Sequence, residues 1–299
     1  MELGQVAISV RDGEGTAAWY RDVLGFAAAG GLAEHRPYAA AVQGMEVSKS
    51  TILWLVDQHA SVQLELFSYD EPVPRGEAAA HAVNDHGYGL LGLHVADLDA
   101  VLARVAPLTA PLGEPGARRV CVRDPEGVLL ELMEDGAPAG PARPALPVAT
   151  RFVRLTVSSL PRAREFFAGT LGLAEGPPLH GPEHEALWGL PGADVATLAL
   201  WGGDVALELA EYAHPRGLPR PADHRLSDHG LLNVALIASE RERYDRAVAA
   251  QAATGFPAYE EVTGDAFAVR YAEDGERNSV ELLHIAPHHR ATMGFEPLP

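Results

Sequence analysis

Two stretches, residues 62–69 (VQLELFSY) and 205–212 (VALELAEY), decide the fold of this chain, because they read as one strand written twice. They lie 143 residues apart, and Asp85-His86-Gly87 returns as Asp228-His229-Gly230 at the same offset. Two unrelated segments sharing one offset mark a tandem duplication, which fixes architecture before local structure is considered. The helical stretches 15–26 (GTAAWYRDVLGF) and 161–173 (PRAREFFAGTLGL) agree with it: each carries an aromatic pair, Trp19-Tyr20 or Phe166-Phe167, followed by Leu-Gly. Between the halves, residues 135–150 (DGAPAGPARPALPVAT) have the Pro, Ala and Gly content of an extended connection. The chain therefore divides into a domain over 1–136, a linker over 137–149 and a second domain over 150–299.

Working outward from the repeated strand, each half divides again. Alternation predicts a strand over 6–10, helical spacing predicts a helix over 15–23, and β-rich runs follow at 51–56 and 61–68. After Asp85-His86-Gly87 come a strand over 89–95, a helix over 97–105 and strands over 119–123 and 128–133. The last two are joined by Asp124-Pro125-Glu126-Gly127, with Pro and Gly where a tight turn needs them. The second half follows the same course, with strands at 152–157, 196–201, 205–210, 231–238, 266–271 and 279–285 and helices at 162–169 and 240–253. The order reads as four βαβββ units.

Composition narrows the function classes. The chain has 299 residues, 47% of them hydrophobic and 21% charged, the profile of a soluble globular protein. It has no run of about 18 apolar residues, and its first residues lack the features of a secretion signal, so a cytoplasmic location is expected. Cys121 is the only cysteine, which excludes an intrachain disulfide and Cys-rich metal sites. A net charge of -18 repels phosphate backbones and anionic lipid, so neither nucleic acid nor a membrane is an expected partner.

Three features together carry a resemblance. They are the aromatic pair with Leu-Gly, the Arg123–Gly127 turn followed by Leu130-Glu131-Leu132, and the Glu-Leu strand ends at Glu65 and Glu208. In these the chain resembles the vicinal oxygen chelate superfamily, which includes glyoxalase I, bleomycin-resistance proteins and extradiol ring-cleaving dioxygenases. The resemblance implies an α+β fold in which four βαβββ units pair into two curved mixed β-sheets, or cups, with helices on the outer faces. It also implies a site on the concave face, with one ligand near the start of each unit's first strand and one near the end of its last.

Strand parity locates these positions. In 62–68, Gln63, Glu65 and Phe67 share one face and Val62, Leu64 and Leu66 the other, so Glu65 is expected to face the cup. The same parity turns Glu131, Glu208 and Glu281 inward. The first-strand positions fall on Gln5, Leu90, Phe152 and Asn233, none of them histidine. An iron dioxygenase site needs two histidines and a carboxylate, which argues against that activity here. The first half retains Gln5, Glu65 and Glu131, three oxygen donors suited to magnesium or manganese. His94 shares the face of Leu90 but lies roughly 13 Å along the strand from it.

The remaining histidines have plainer readings beside the sharper ones. His86 and His229 sit in turns whose Asp and Gly serve backbone geometry, or else at cup rims where each can take a proton from bound substrate. His180 and His184, among Pro and Gly, are expected in a surface loop. The leading expectation is a divalent-metal-assisted isomerase or lyase of a small organic molecule in a first-half cup. Glu131, His94 and His86 are its catalytic candidates, and Trp54, Phe67, Glu208, His229, Asn233 and Glu281 are expected to contact the ligand. The alternative is a metal-free carrier or sequestering protein, with the ring-cleaving dioxygenase third. Either a monomer or a homodimer accommodates the duplication.

Overall fold

The computed structural model of the chain describes residues 1–137, 143 and 145–298; part of the expected linker, 138–142 and 144, lies outside the described residues. The first unit comprises β1 (Glu2–Ser9), α1 (Gly13–Trp19), β2 (Ala27–Glu34), α2 (Pro37–Gln43), β3 (Lys49–Val56) and β4 (Gln63–Glu71). The second comprises β5 (Gly87–Val95), α3 (Leu98–Leu102), β6 (Arg119–Arg123) and β7 (Leu129–Met133). The third contains β8 (Val148–Thr156), α4 (Leu160–Arg164), β9 (Ala174–Glu175), β10 (Asp194–Gly202) and β11 (Val205–His214). The fourth contains β12 (Gly230–Ala238), α5 (Arg241–Ala253), β13 (Ala258–Thr263), β14 (Phe267–Glu273) and β15 (Ser279–Ile285).

Local chemistry accounts for these boundaries. The Asp12 carboxylate accepts the Gly15 N–H at 2.9 Å and caps α1. That helix runs on through residues 20–24 and stops at Gly25, whose φ of 86° is left-handed. In the second unit the place of the extra strand is taken by a loop holding one bridge, Leu112 to Arg119. Strand β2, AAAGGLAE, forms although it contains no β-branched or aromatic residue, because β3 supplies it with a full antiparallel partner.

The strands make two curved mixed sheets, ordered β13-β14-β15-β12-β1-β4-β3-β2 and β6-β7-β5-β8-β11-β10-β9. The sheets join units differently from the expected first-half cup. Strand β1 pairs antiparallel with β12, with Ala7 opposite Asn233, and β5 pairs antiparallel with β8, with Leu91 opposite Val153. The first unit therefore shares a sheet with the fourth, and the second with the third. Copied first strands carry equivalent edges, so local sequence does not specify which two meet.

One face of each sheet joins the helices in a common core. Val6, Ile8, Leu64, Leu66, Val234 and Leu282 belong to it from the larger sheet, and Leu91, Leu130, Val153 and Leu207 from the smaller. Alternation puts the four strand glutamates on the opposite faces, and all are buried there. We call these faces cup A, on the larger sheet, and cup C, on the smaller.

Candidate functional site

The two cups contain the same carboxylate pair in opposite electrostatic settings. In cup C, Glu131 on β7 and Glu208 on β11 are both fully buried. The His180 ring lies between them: Nδ1 is 2.8 Å from Oε1 of Glu208, and Nε2 is 3.1 Å from Oε1 of Glu131. Burial alone would lower the imidazole, but the two carboxylates outweigh it and raise its pKa to about 9. Reciprocally, and against their own burial, His180 with Arg119 holds Glu131 below its ordinary value, and His180 with Arg154 does so for Glu208.

The network extends through two arginines. Arg154 is buried, donating to Glu208 at 3.0 Å, to Glu185 at 2.8 Å and to the Tyr212 hydroxyl at 2.9 Å. Arg119 donates to Glu131 at 3.2 Å, and the Trp188 indole N–H caps its other oxygen at 3.0 Å. Three buried acids, Glu131, Glu208 and Glu185, thus face three cations, His180, Arg154 and Arg119, the last of which also pairs with the more exposed Asp135 at 3.2 Å. Leu90 and Phe152, at the first-strand positions, help close the space in an apolar cluster with Leu187. A short 3-10 helix, Pro182–Trp188, packs over them and carries Glu185 and Trp188 into the network.

This overturns the expected surface loop for His180, which is buried between acids brought in from other strands. The expectation failed because the Pro and Gly around it report backbone shape, whereas its partners stand 28 and 49 residues away in sequence. His94 borders the same cup but bonds the Asp135 carbonyl oxygen through Nδ1 at 3.1 Å. The trio Gln5, Glu65 and Glu131 is not brought together, because Glu131 belongs to the other sheet.

Cup A instead gathers Gln5 and Glu65 from the first unit with Asn233 and Glu281 from the fourth. Ala7 stands opposite both Glu65 and Asn233, while Ala235 stands opposite both Gln5 and Glu281, which places the four side chains around one small-residue centre. Among the described residues the only hydrogen bond to Glu65 comes from the Trp54 indole N–H at 2.9 Å, and the Tyr271 hydroxyl serves Glu281. Among the described residues no Arg, Lys or His bonds either acid. Burial pushes Glu65 up to about 7, and burial together with Glu65 pushes Glu281 well above the carboxylate range.

The amides beside them are incompletely bonded. Gln5 donates to Gln63 at 2.6 Å but its own Oε1 has no partner, and neither does Nδ2 of Asn233. Because amide ends are assigned from their surroundings, Asn233 can present oxygen to the cup equally well. Two uncompensated carboxylates and two amides form an oxygen donor set that fits a hard divalent cation such as magnesium or manganese. Phe67, stacked on Tyr69 at 5.7 Å, extends the aromatic wall begun by Trp54. Towards the C-terminus, Gln63 donates to the Met293 and Gly294 carbonyl oxygens, and Phe295 is fully buried.

His86 and His229 lie in neither cup. His86 approaches Glu276 at 3.8 Å, and Nε2 of His229 accepts from Arg11 at 3.0 Å.

This fold, with paired strand glutamates on two concave faces, can be set beside known proteins. Residues 2–132 match the family model described as Glyoxalase/Bleomycin resistance protein/Dioxygenase superfamily. The first half of the chain matches that superfamily, and the duplicated strand order carries the same fold through the second half. Among solved structures, it is similar over 100% of its length to 91% of a candidate dioxygenase from Bacillus subtilis subsp. subtilis strain 168, with 13% identity and a TM-score of 0.66. It is also similar, over 98% of its length and 96% of the other chain, to glyoxalase I from Zea mays, with 12% identity and a TM-score of 0.64. At such identities the likeness concerns the fold. Comparison with curated proteins gives no significant match. Among the described residues, no helix is long and apolar enough to cross a membrane.

Proposed function

We propose that this chain is a divalent-metal-assisted isomerase or lyase acting on a small organic molecule, with its chemistry in cup A. The observation that carries the reading is the Glu65–Glu281 pair, buried without a protein cation, beside the incompletely bonded Gln5 and Asn233. Gln5, Glu65 and Glu281 would hold the ion with Asn233 beside them. When bound, it supplies polarisation of adjacent substrate oxygens. Glu65 moves the proton, since its carboxylate accepts from a single donor among the described residues, the Trp54 indole, and is otherwise open to the cup. Trp54 and Phe67 bind the substrate's apolar part and exclude water. No first-strand position offers the histidines of an iron dioxygenase, so the donor set favours proton transfer over oxygen chemistry.

The test is exchange of the carbon-bound hydrogen next to the carbonyl in a panel of 2-oxo compounds in deuterated water, followed by NMR. Exchange that requires manganese or magnesium and disappears in Glu65→Gln supports the reading. Exchange unaffected by either change removes it. A second reading, a metal-free binding protein, is favoured by the Trp54 bond to Glu65 and by the burial of Phe295. Saturable ligand uptake by chelator-treated protein, without exchange, would select it.

A further inference from the structure

The two Asp-His-Gly copies belong to neither cup, yet the fold brings them to the rim of a common cavity of about 480 Å³. The segments leading into β5 and β12 clasp each other in nearly symmetric fashion. His86 N–H donates to the Leu218 carbonyl oxygen and His229 N–H to that of Arg75, both at 2.9 Å. The copied aspartates repeat the symmetry: Asp85 accepts the Leu218 N–H at 2.6 Å, and Asp228 the Arg75 N–H at 3.3 Å. Both turns therefore have a structural purpose, and the cavity is what they enclose.

The wall carries four carboxylates, and each already has partners. Glu77 is paired with Arg11 at 2.6 Å, and Asp223 and Asp228 with Arg75 at 2.7 and 3.0 Å. Asp85 accepts from two backbone N–H groups. Arg220 differs: among the described residues its guanidinium has no hydrogen bond and no close ion pair, and Asp274 and Glu273 act on it only through their charge. It lies against Gly87, where a Cβ would come within 2.6 Å of Nη2, so only glycine leaves it this position. Among the described residues, Nε2 of His81 on the same wall also has no partner, and His229 beside it meets the Ser9 backbone and Arg11. The rest of the lining includes Val128, Leu129, Leu218 and Leu231.

We propose that this cavity binds a small organic carboxylate with an apolar body. Arg220 takes the carboxylate, because a planar guanidinium fork matches two carboxylate oxygens and this one donates no hydrogen bond within the described residues. His81 offers a flanking polar contact, and the aliphatic side chains hold the body. The volume is that of ordinary small-molecule sites. The site is separate from cup A, and its occupation does not depend on the reaction proposed there.

Calorimetric titration of the full chain with 2-naphthoate and with the uncharged 2-naphthamide tests the proposal. Saturable binding of naphthoate is expected, with naphthamide weaker by about 10-fold or more, the factor a charge-assisted pair contributes. Arg220→Gln should weaken naphthoate by a similar factor and leave the melting temperature unchanged, since Arg220 makes no internal bond. Glu281→Gln should bind naphthoate like wild type, which separates failure here from failure in cup A. In wild type, naphthoate should shift the His81 and His229 imidazole NMR signals, a readout independent of the variant's folding. Equal binding of acid and amide, undiminished binding by Arg220→Gln, unmoved imidazole signals, or no saturation at millimolar naphthoate would each overturn the proposal.

Discussion

His180 shows how one side chain changes the meaning of a repeated pair of acids. Held between Glu131 and Glu208, its ring supplies the positive charge that cup A lacks. Removing it leaves two buried carboxylates short of a cation, so His180→Gln should destabilise the chain by about 3–5 kcal/mol in urea unfolding at pH 7. Its folded pKa, about 9, lies above the ordinary 6.5. The stability it contributes is therefore complete below 6.5 and lost as pH rises through 9, and the gap between wild type and variant should narrow by pH 10. Glu65 is expected to act in the same direction at lower pH. With its folded pKa raised from 4.5 to about 7, the folded state keeps a proton that the unfolded chain releases, and stability falls across that interval. Glu65→Gln should then gain on metal-free wild type in chemical unfolding as pH rises from 4.5 to 7; a constant difference would contradict the burial argument. The inward faces of the glutamates were legible from alternation. The role of His180 was not, because a buried charge is identified by neighbours distant in sequence.

At the level of elements, the cups are distinguished by what is packed across them. The Pro182–Trp188 element seals cup C with Glu185 and Trp188, whereas the segment around residues 293–295 packs at cup A against Trp54 and Gln63. Gly294 has a φ of 73°, and a Cβ there would lie 2.4 Å from the Trp54 ring. Gly294→Ala should therefore displace the segment and disturb Trp54, read as lower thermal stability and altered tryptophan fluorescence. An unchanged spectrum and melting point would show that this packing is dispensable. Strands with strong alternation, such as β4 and β11, were readable from sequence. Strand β2 was not, since Ala and Gly give no periodic signal, and the helix α2 that follows it has only two turns to reveal itself.

For the whole molecule, the decisive fact is that each sheet joins a unit from one half to a unit from the other. Separate expression of residues 1–136 and 150–299 would leave β1, β5, β8 and β12 without their partners at the seams. Each half alone should expose apolar surface or self-associate, and mixing them should restore a two-sheet particle by circular dichroism and size exclusion. Independently folded, monomeric halves would contradict that dependence. The duplication, its four glutamates and the α+β class were all legible in the repeat. The choice of partners was not, because copied strand edges are equivalent until the assembled chain distinguishes them. That choice produced one cup with an internal cation and one without. The most direct test is the manganese content of protein equilibrated with manganese(II) and then desalted. The account predicts one ion per chain, lost in Glu281→Gln and retained in Glu131→Gln; no bound ion, two ions, or loss through Glu131→Gln alone would contradict it.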